Sequence, residues 1–159
     1  MQRNSHVSQV VLLLALTLLI VGPFLASGWN ALRQAESATE PARAAQLYET
    51  AAQRLFWRDD LWERAGLSAA QADQPEEIIR LLERAPHLSA QGWLVLGQAY
   101  LQTNQPDPAL QAFQSSIQIH AMPQAYAGIA QIQHERGDIE AERAALENQL
   151  LLAPEDAAA

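Results

Sequence analysis

Two acidic pairs, Asp59-Asp60 and Glu76-Glu77, and the histidines His87, His120 and His134 are the residues of this chain best equipped for chemistry. Adjacent carboxylates can share a proton or hold a divalent cation, and neutral imidazoles ligate zinc. Their placement argues against both uses. Each acidic pair stands just ahead of an apolar periodic stretch, where carboxylates favour a helix N-terminus and act as caps. The histidines share no helical turn. There is no cysteine, which removes disulfides, thiolate zinc sites and a cysteine nucleophile. A glycine-rich phosphate loop, His-Glu-x-x-His and Gly-x-Ser-x-Gly are missing as well. The expectation is a non-enzyme with no catalytic residue, metal ligand or cofactor.

Amide chemistry is far better represented. Between Arg84 and Glu135 the single formal charge is Asp107, while ten glutamines are spread over the same interval. Protein chains average about a quarter charged residues, and amides lose less hydration than ions when covered. The stretch therefore suits a surface that is buried on recognition; drift in composition is the plainer alternative. Over the whole chain eighteen Asp and Glu oppose ten Arg and no Lys, a formal charge of −8. An acidic chain without a basic stripe excludes nucleic acid as a partner. At 159 residues it is long enough for one modest core.

The elements that must present these amides are written as a repeat. Trp93, Leu96, Gly97 and Tyr100 fall at i, i+3, i+4 and i+7, one face of a helix. A large ring on that face needs a place where the facing helix comes close, and Gly97 and Ala109 provide it; Phe113 fills the gap. Asn104 to Pro108 breaks the chain between two helices, with Asp107 expected as N-cap and Pro108 at the first helical position. Trp62 and Gly66 repeat the spacing of Trp93 and Gly97, Tyr126 and Ala130 stand in the same frame, and Ala44 and Tyr48 align with Ala109 and Phe113. Corresponding residues lie 34, 31 and 33 positions apart, from Ala44 to Ile78, Trp62 to Trp93 and Trp93 to Tyr126.

This pattern of Trp, Leu-Gly, Tyr, Ala and Phe resembles the tetratricopeptide repeat family, whose unit of roughly 34 residues is a pair of antiparallel helices. The likeness runs from about Thr39 to Pro154, with Ser116, Ile78 and Glu142 standing where the family has alanine. The resemblance implies an all-α fold of about three such units, stacked as a solenoid. It also implies a concave groove lined by the first helix of each unit, at Asp60, Glu63, Gln71, Gln91, Leu94, Gln98, Leu101, Gln102, Gln124, Gln131, His134 and Glu135. The Lys and Asn clamp of chaperone-binding relatives is absent, so a neutral or mildly basic protein segment is the expected ligand, in preference to an acidic tail.

Residues 10–26, "VVLLLALTLLIVGPFLA", carry no charge. About twenty helical residues cross a hydrocarbon core of roughly 30 Å. The expected organisation is a short cytoplasmic N-terminus (1–6), a transmembrane helix or alternatively a cleaved signal peptide (7–28), the repeat domain (29–154) and a tail (155–159). Arg3 and His6 place the N-terminus inside and the repeats on the extracytoplasmic face, with Trp29 at the far interface. Trp29 to Ser37 is expected to supply the first helix of the first unit. Phe56 and Trp57 read as core between repeats, or alternatively as a contact with lipid or a membrane neighbour. Leu146, Leu150, Leu151 and Leu152 would leave an apolar edge open to self-association. Together these features suggest a membrane-tethered bacterial scaffold or assembly subunit of a membrane or cell-envelope complex. Two alternatives are the repeat segment of a larger envelope polymerase or glycosyltransferase system, and an exported binding module released by signal cleavage.

Overall fold

The computed structural model describes residues 3–152, and the side chains of Leu19 and of residues 21–152. The described residues form the helices α1 (Arg3–Ser37), α2 (Pro41–Arg54), α3 (Asp60–Gln71), α4 (Pro75–Leu82), α5 (Ala90–Gln102), α6 (Pro106–Ile119), α7 (Pro123–Arg136) and α8 (Ile139–Leu152). Each packs on the next, and α3 also touches α5 and α5 touches α7. The first helices of the last three pairs thus lie side by side, which makes the array a solenoid of helix pairs. Pro154 and the tail expected over 155–159 lie outside the described residues.

Local chemistry starts and stops these helices. Pro41, Pro75, Pro106 and Pro123 sit in the first turns of α2, α4, α6 and α7, where a missing N–H costs nothing and φ is already set. Helix α6 accordingly begins at Pro106 and not at Pro108, and Asp107 falls in its first turn instead of capping it. The turns within the last three pairs each hold one residue in the left-handed region: Asp73 (φ 53°), Asn104 (φ 57°) and Gly137 (φ 73°). Each is followed by a Schellman bond, from Gln74 N–H to Ala69 O (3.3 Å), Gln105 N–H to Tyr100 O (2.8 Å) and Asp138 N–H to Gln133 O (2.9 Å). These positions keep the spacing of Trp62, Trp93 and Tyr126, so backbone and side chains repeat together.

The core repeats as well. A Cβ on Gly66 would run into Leu82, and one on Gly97 would come within 2.6 Å of Phe113 Cε1. Leu82 and Phe113 therefore occupy equivalent slots, each seated on the glycine of its own pair. Phe113, 1% exposed, also lies against Gly128 of the following pair. At the position equivalent to Gly128 the preceding junction has Val95, and there the smaller Leu82 leaves room for it. Trp62 and Trp93 are both half-buried against the cluster that contains Leu81, Leu82, Val95 and Leu96. The Ser116 hydroxyl, fully buried, donates to Ala90 O (2.8 Å) and ties α6 to the start of α5, which gives a reason for serine in a slot where the family has alanine.

The N-terminal expectation needs correcting. Among the described residues no helix is long and apolar enough to cross a membrane, which overturns the transmembrane helix expected over 7–28 and the single-pass placement with an extracytoplasmic repeat domain. Toward its C-terminal end α1 packs on the array instead. Leu25, Ala31 and Leu32 join a cluster with Ala51, Ala52, Leu55 and Leu61, and a Cβ on Gly28 would meet Arg54 and Leu55 at 2.9–3.0 Å. Within the stretch this packing reaches Leu25, while Leu19, Val21 and Phe24 stay exposed; Gly28, Ala31 and Leu32, which follow the stretch, face α2 and the turn after it. Helix α1 thereby supplies the first helix of the first pair, as expected for Trp29 to Ser37.

Candidate recognition groove

Helices α5 and α7 run side by side with one face of each turned away from its own pair. Gln98, Leu101, Gln102 and Gln131 line a depression of about 500 Å³ there. An adjoining one of about 280 Å³ adds Gln124, Ala127, Gly128 and an edge of Phe113. No ionisable side chain lines either depression. The repeat creates this alignment: Gln98 and Gln131 stand 33 positions apart, as Trp93 and Tyr126 do, and Gly128 keeps the floor low because a side chain would collide with Phe113. Asp107, the lone charge of the amide-rich stretch, is exposed and pairs with the Arg136 guanidinium at the end of α7.

The other groove residues expected from the sequence fare differently. Leu94 is 4% exposed and belongs to the core with Ala109, Phe113, Ala125 and Ile132; its position turns it toward α6 and α7, and it lines neither depression. Gln91 is exposed near the start of α5 but lines neither depression. Asp60 is held by Arg58 in a two-point pair (2.8 and 2.9 Å) and by Arg64 at 3.0 Å; the Arg58 hydrogen bonds pull its carboxyl below the usual aspartate range. Glu63 accepts from the Ser89 hydroxyl and from Ser89 N–H (3.1 Å), while Ser89 in turn caps Gly92 N–H of α5. Its carboxylate reaches that far because Gly92 has no side chain to meet it. His134 pairs with Glu142 at 3.1 Å, bridging α7 and α8. Asp60, Glu63 and His134 therefore join neighbouring parts of the array instead of meeting the glutamines. Of the signature residues, Gly66, Leu96, Gly97, Ala109 and Phe113 are buried, and Trp62, Trp93, Tyr100 and Tyr126 are half-buried.

Two further expectations change. Phe56 and Trp57 are 78% and 47% exposed and stack edge to face with centroids 5.1 Å apart; Leu55 takes the buried place that they were expected to fill. The acidic pairs cap nothing through their side chains at α3 and α4; Asp60 and Glu77 bind Arg58 and Arg80 instead. Sequence reasoning also missed a clamp between pairs. Glu49 on α2 receives two hydrogen bonds from Arg80 on α4, both 2.7 Å, and Arg80 also binds Glu77. Arg80 draws both carboxyls below the usual glutamate range, and its own pKa rises. Thirty-one residues separate Glu49 from Arg80, and no local pattern signals the pairing.

An array of helix pairs with a groove along its first helices is a helical-repeat protein of the kind that works by contact. A tetratricopeptide repeat family model matches residues 90–120, the pair formed by α5 and α6. The match covers that one pair, and the all-helical array around it resembles the tetratricopeptide repeat fold, which at a coarse level suggests a scaffold for interactions between proteins. No curated protein matches the chain.

Proposed function

We propose that this protein is a non-catalytic interaction module that holds an uncharged or mildly basic segment of a protein partner in the groove between α5 and α7. One observation supports the reading above the rest: Gln98, Gln102, Gln124 and Gln131 converge on one shallow surface with Leu101 and no charge. Amides can donate and accept at once, so such a surface matches a peptide backbone without demanding a particular sequence. Leu101, Ala127 and Gly128 supply apolar area, which provides affinity where the amides provide orientation.

A photo-crosslinking residue at Gln98, compared with one at Gln114 on the exposed side of α6, tests the proposal in the organism that makes the chain. Crosslinks specific to Gln98 are expected, to one partner segment, and Gln131→Arg should abolish them by placing a charge in the groove. Equal crosslinking at Gln114, or indifference to Gln131→Arg, would move recognition to another face.

A further inference from the structure

A cavity of about 520 Å³ lies on the other side of α5. It exists because α4 is short: eight residues, against fourteen in α2, α6 and α8. At ~1.5 Å per residue the helix stops about 9 Å early. Leu82 and Glu83 form one wall, Trp93, Leu96 and Tyr100 the floor, and Ala112 of α6 the far side. On α5 the floor residues and the groove residues Gln98, Leu101 and Gln102 point in roughly opposite directions at ~100° per residue. The cavity and the amide groove share no lining residue.

Among the described residues Glu83 is the one carboxylate of the cavity's lining, and the His87 imidazole and the Gln111 amide are its other polar side chains besides the Tyr100 hydroxyl. Glu83 is exposed at the rim and accepts a hydrogen bond from the Tyr100 hydroxyl at 2.6 Å. The neighbouring cations are engaged elsewhere: Arg80 and Arg84 reach Glu49, and Arg84 lies over the Trp62 ring, 5.4 Å from its centroid. Burial, aided by Glu83, pushes the Tyr100 hydroxyl up to about 12, so at neutral pH it remains a donor that fixes the carboxylate without cancelling its charge. An apolar, aromatic-floored cavity of this size with one oriented anion has the make-up of a ligand site, in a chain whose formal charge is −8.

We propose that this cavity is a second binding site, which seats an aromatic or aliphatic side chain of a protein partner against Trp93 and Leu96 and an adjacent arginine or lysine on Glu83. Trp93 offers the ring face on which such a side chain stacks, and the carboxylate selects the basic neighbour by a charge-assisted hydrogen bond. Because the site is separate from the amide groove, both can be occupied at once.

The full chain, labelled with ¹⁵N, is titrated with acetyl-Phe-Arg-amide and with acetyl-Phe-Glu-amide, and the spectra are followed at the Trp93 indole N–H and the Leu96 and Ala112 amides. The arginine peptide should shift these signals and bind about fivefold tighter than the glutamate peptide, the ratio that ~1 kcal/mol at an exposed carboxylate gives. Glu83→Gln should bring the two peptides to the same affinity, and Gln98→Arg should change neither. Equal binding of both peptides to the unaltered chain would overturn the proposal, as would silence at Trp93 or unchanged discrimination in Glu83→Gln. None of those results would touch the groove between α5 and α7, which is tested by the crosslinks at Gln98.

Discussion

Adding one methyl group at Gly128 should have opposite effects depending on what faces it. A Cβ there would fall on Cε2, Cζ and Cδ2 of Phe113, the last at 2.9 Å. The ring cannot retreat, because its other edge rests on Gly97, where a Cβ would lie 2.6 Å from Cε1. Overpacking a site bounded by backbone on both sides costs about 2–3 kcal/mol, and the better helix propensity of alanine returns about 1 kcal/mol. Gly128→Ala alone should therefore destabilise by about 1–2 kcal/mol. Phe113→Leu removes the ring atoms concerned at a cost of about 1 kcal/mol and recreates the preceding junction, where Leu82 and Val95 hold these positions in one cluster. In that background Gly128→Ala should stabilise by about 0.5–1 kcal/mol, mostly through propensity. Urea unfolding of the four proteins, followed by circular dichroism at the helix band, measures the cycle. Effects that add to within about 0.5 kcal/mol would refute the idea that Gly128 is glycine because Phe113 needs the space.

The clamp between α2 and α4 should be worth about 1 kcal/mol, at the low end for a two-point pair because Arg80 is more than a third exposed; Glu49→Gln should lower the urea midpoint accordingly. Since Arg80 depresses the carboxyls of Glu49 and Glu77 in the folded chain, that stability is fully present above about pH 4.3, the unfolded value. It is lost as pH falls through the lower folded values, and acid titration should show a shallower loss in Glu49→Gln. Gly137→Ala, which forces a side chain to φ 73°, should cost about 1 kcal/mol, measured by thermal unfolding. Ser116→Ala removes the 2.8 Å bond to Ala90 O and should lower stability by about 1 kcal/mol in the same experiment, even though alanine is the family's residue there.

Much of the array could be read without coordinates because it is built from local rules applied several times. A proline in a first turn, a left-handed residue after a first helix, and a small residue opposite a large one each depend on a few neighbouring positions, and their recurrence makes the pattern legible. The same logic located Gln98, Leu101, Gln102, Gln124 and Gln131, since residues one repeat apart on first helices must come side by side. It misjudged Leu94, which helical phase alone leaves near that face and which the approach of α6 and α7 buries. It also misjudged Phe56 and Trp57, whose size suggested core although the turn hands that place to Leu55.

Hydropathy failed at the N-terminus for a related reason. A run of apolar side chains records a wish to leave water and says nothing of what receives them; of its described members Leu25 is received beside Leu55 and Leu61, while Leu19, Val21 and Phe24 stay exposed. Spacing along the chain was enough to establish helix pairs, their phase and their small-to-large contacts, because those are set by the backbone's own periodicity. The Glu49–Arg80 clamp and the cavity left by a short α4 depend on how far each helix extends and the angle at which it meets the next. Those quantities arise only when distant segments pack, and no stretch of the chain carries them alone.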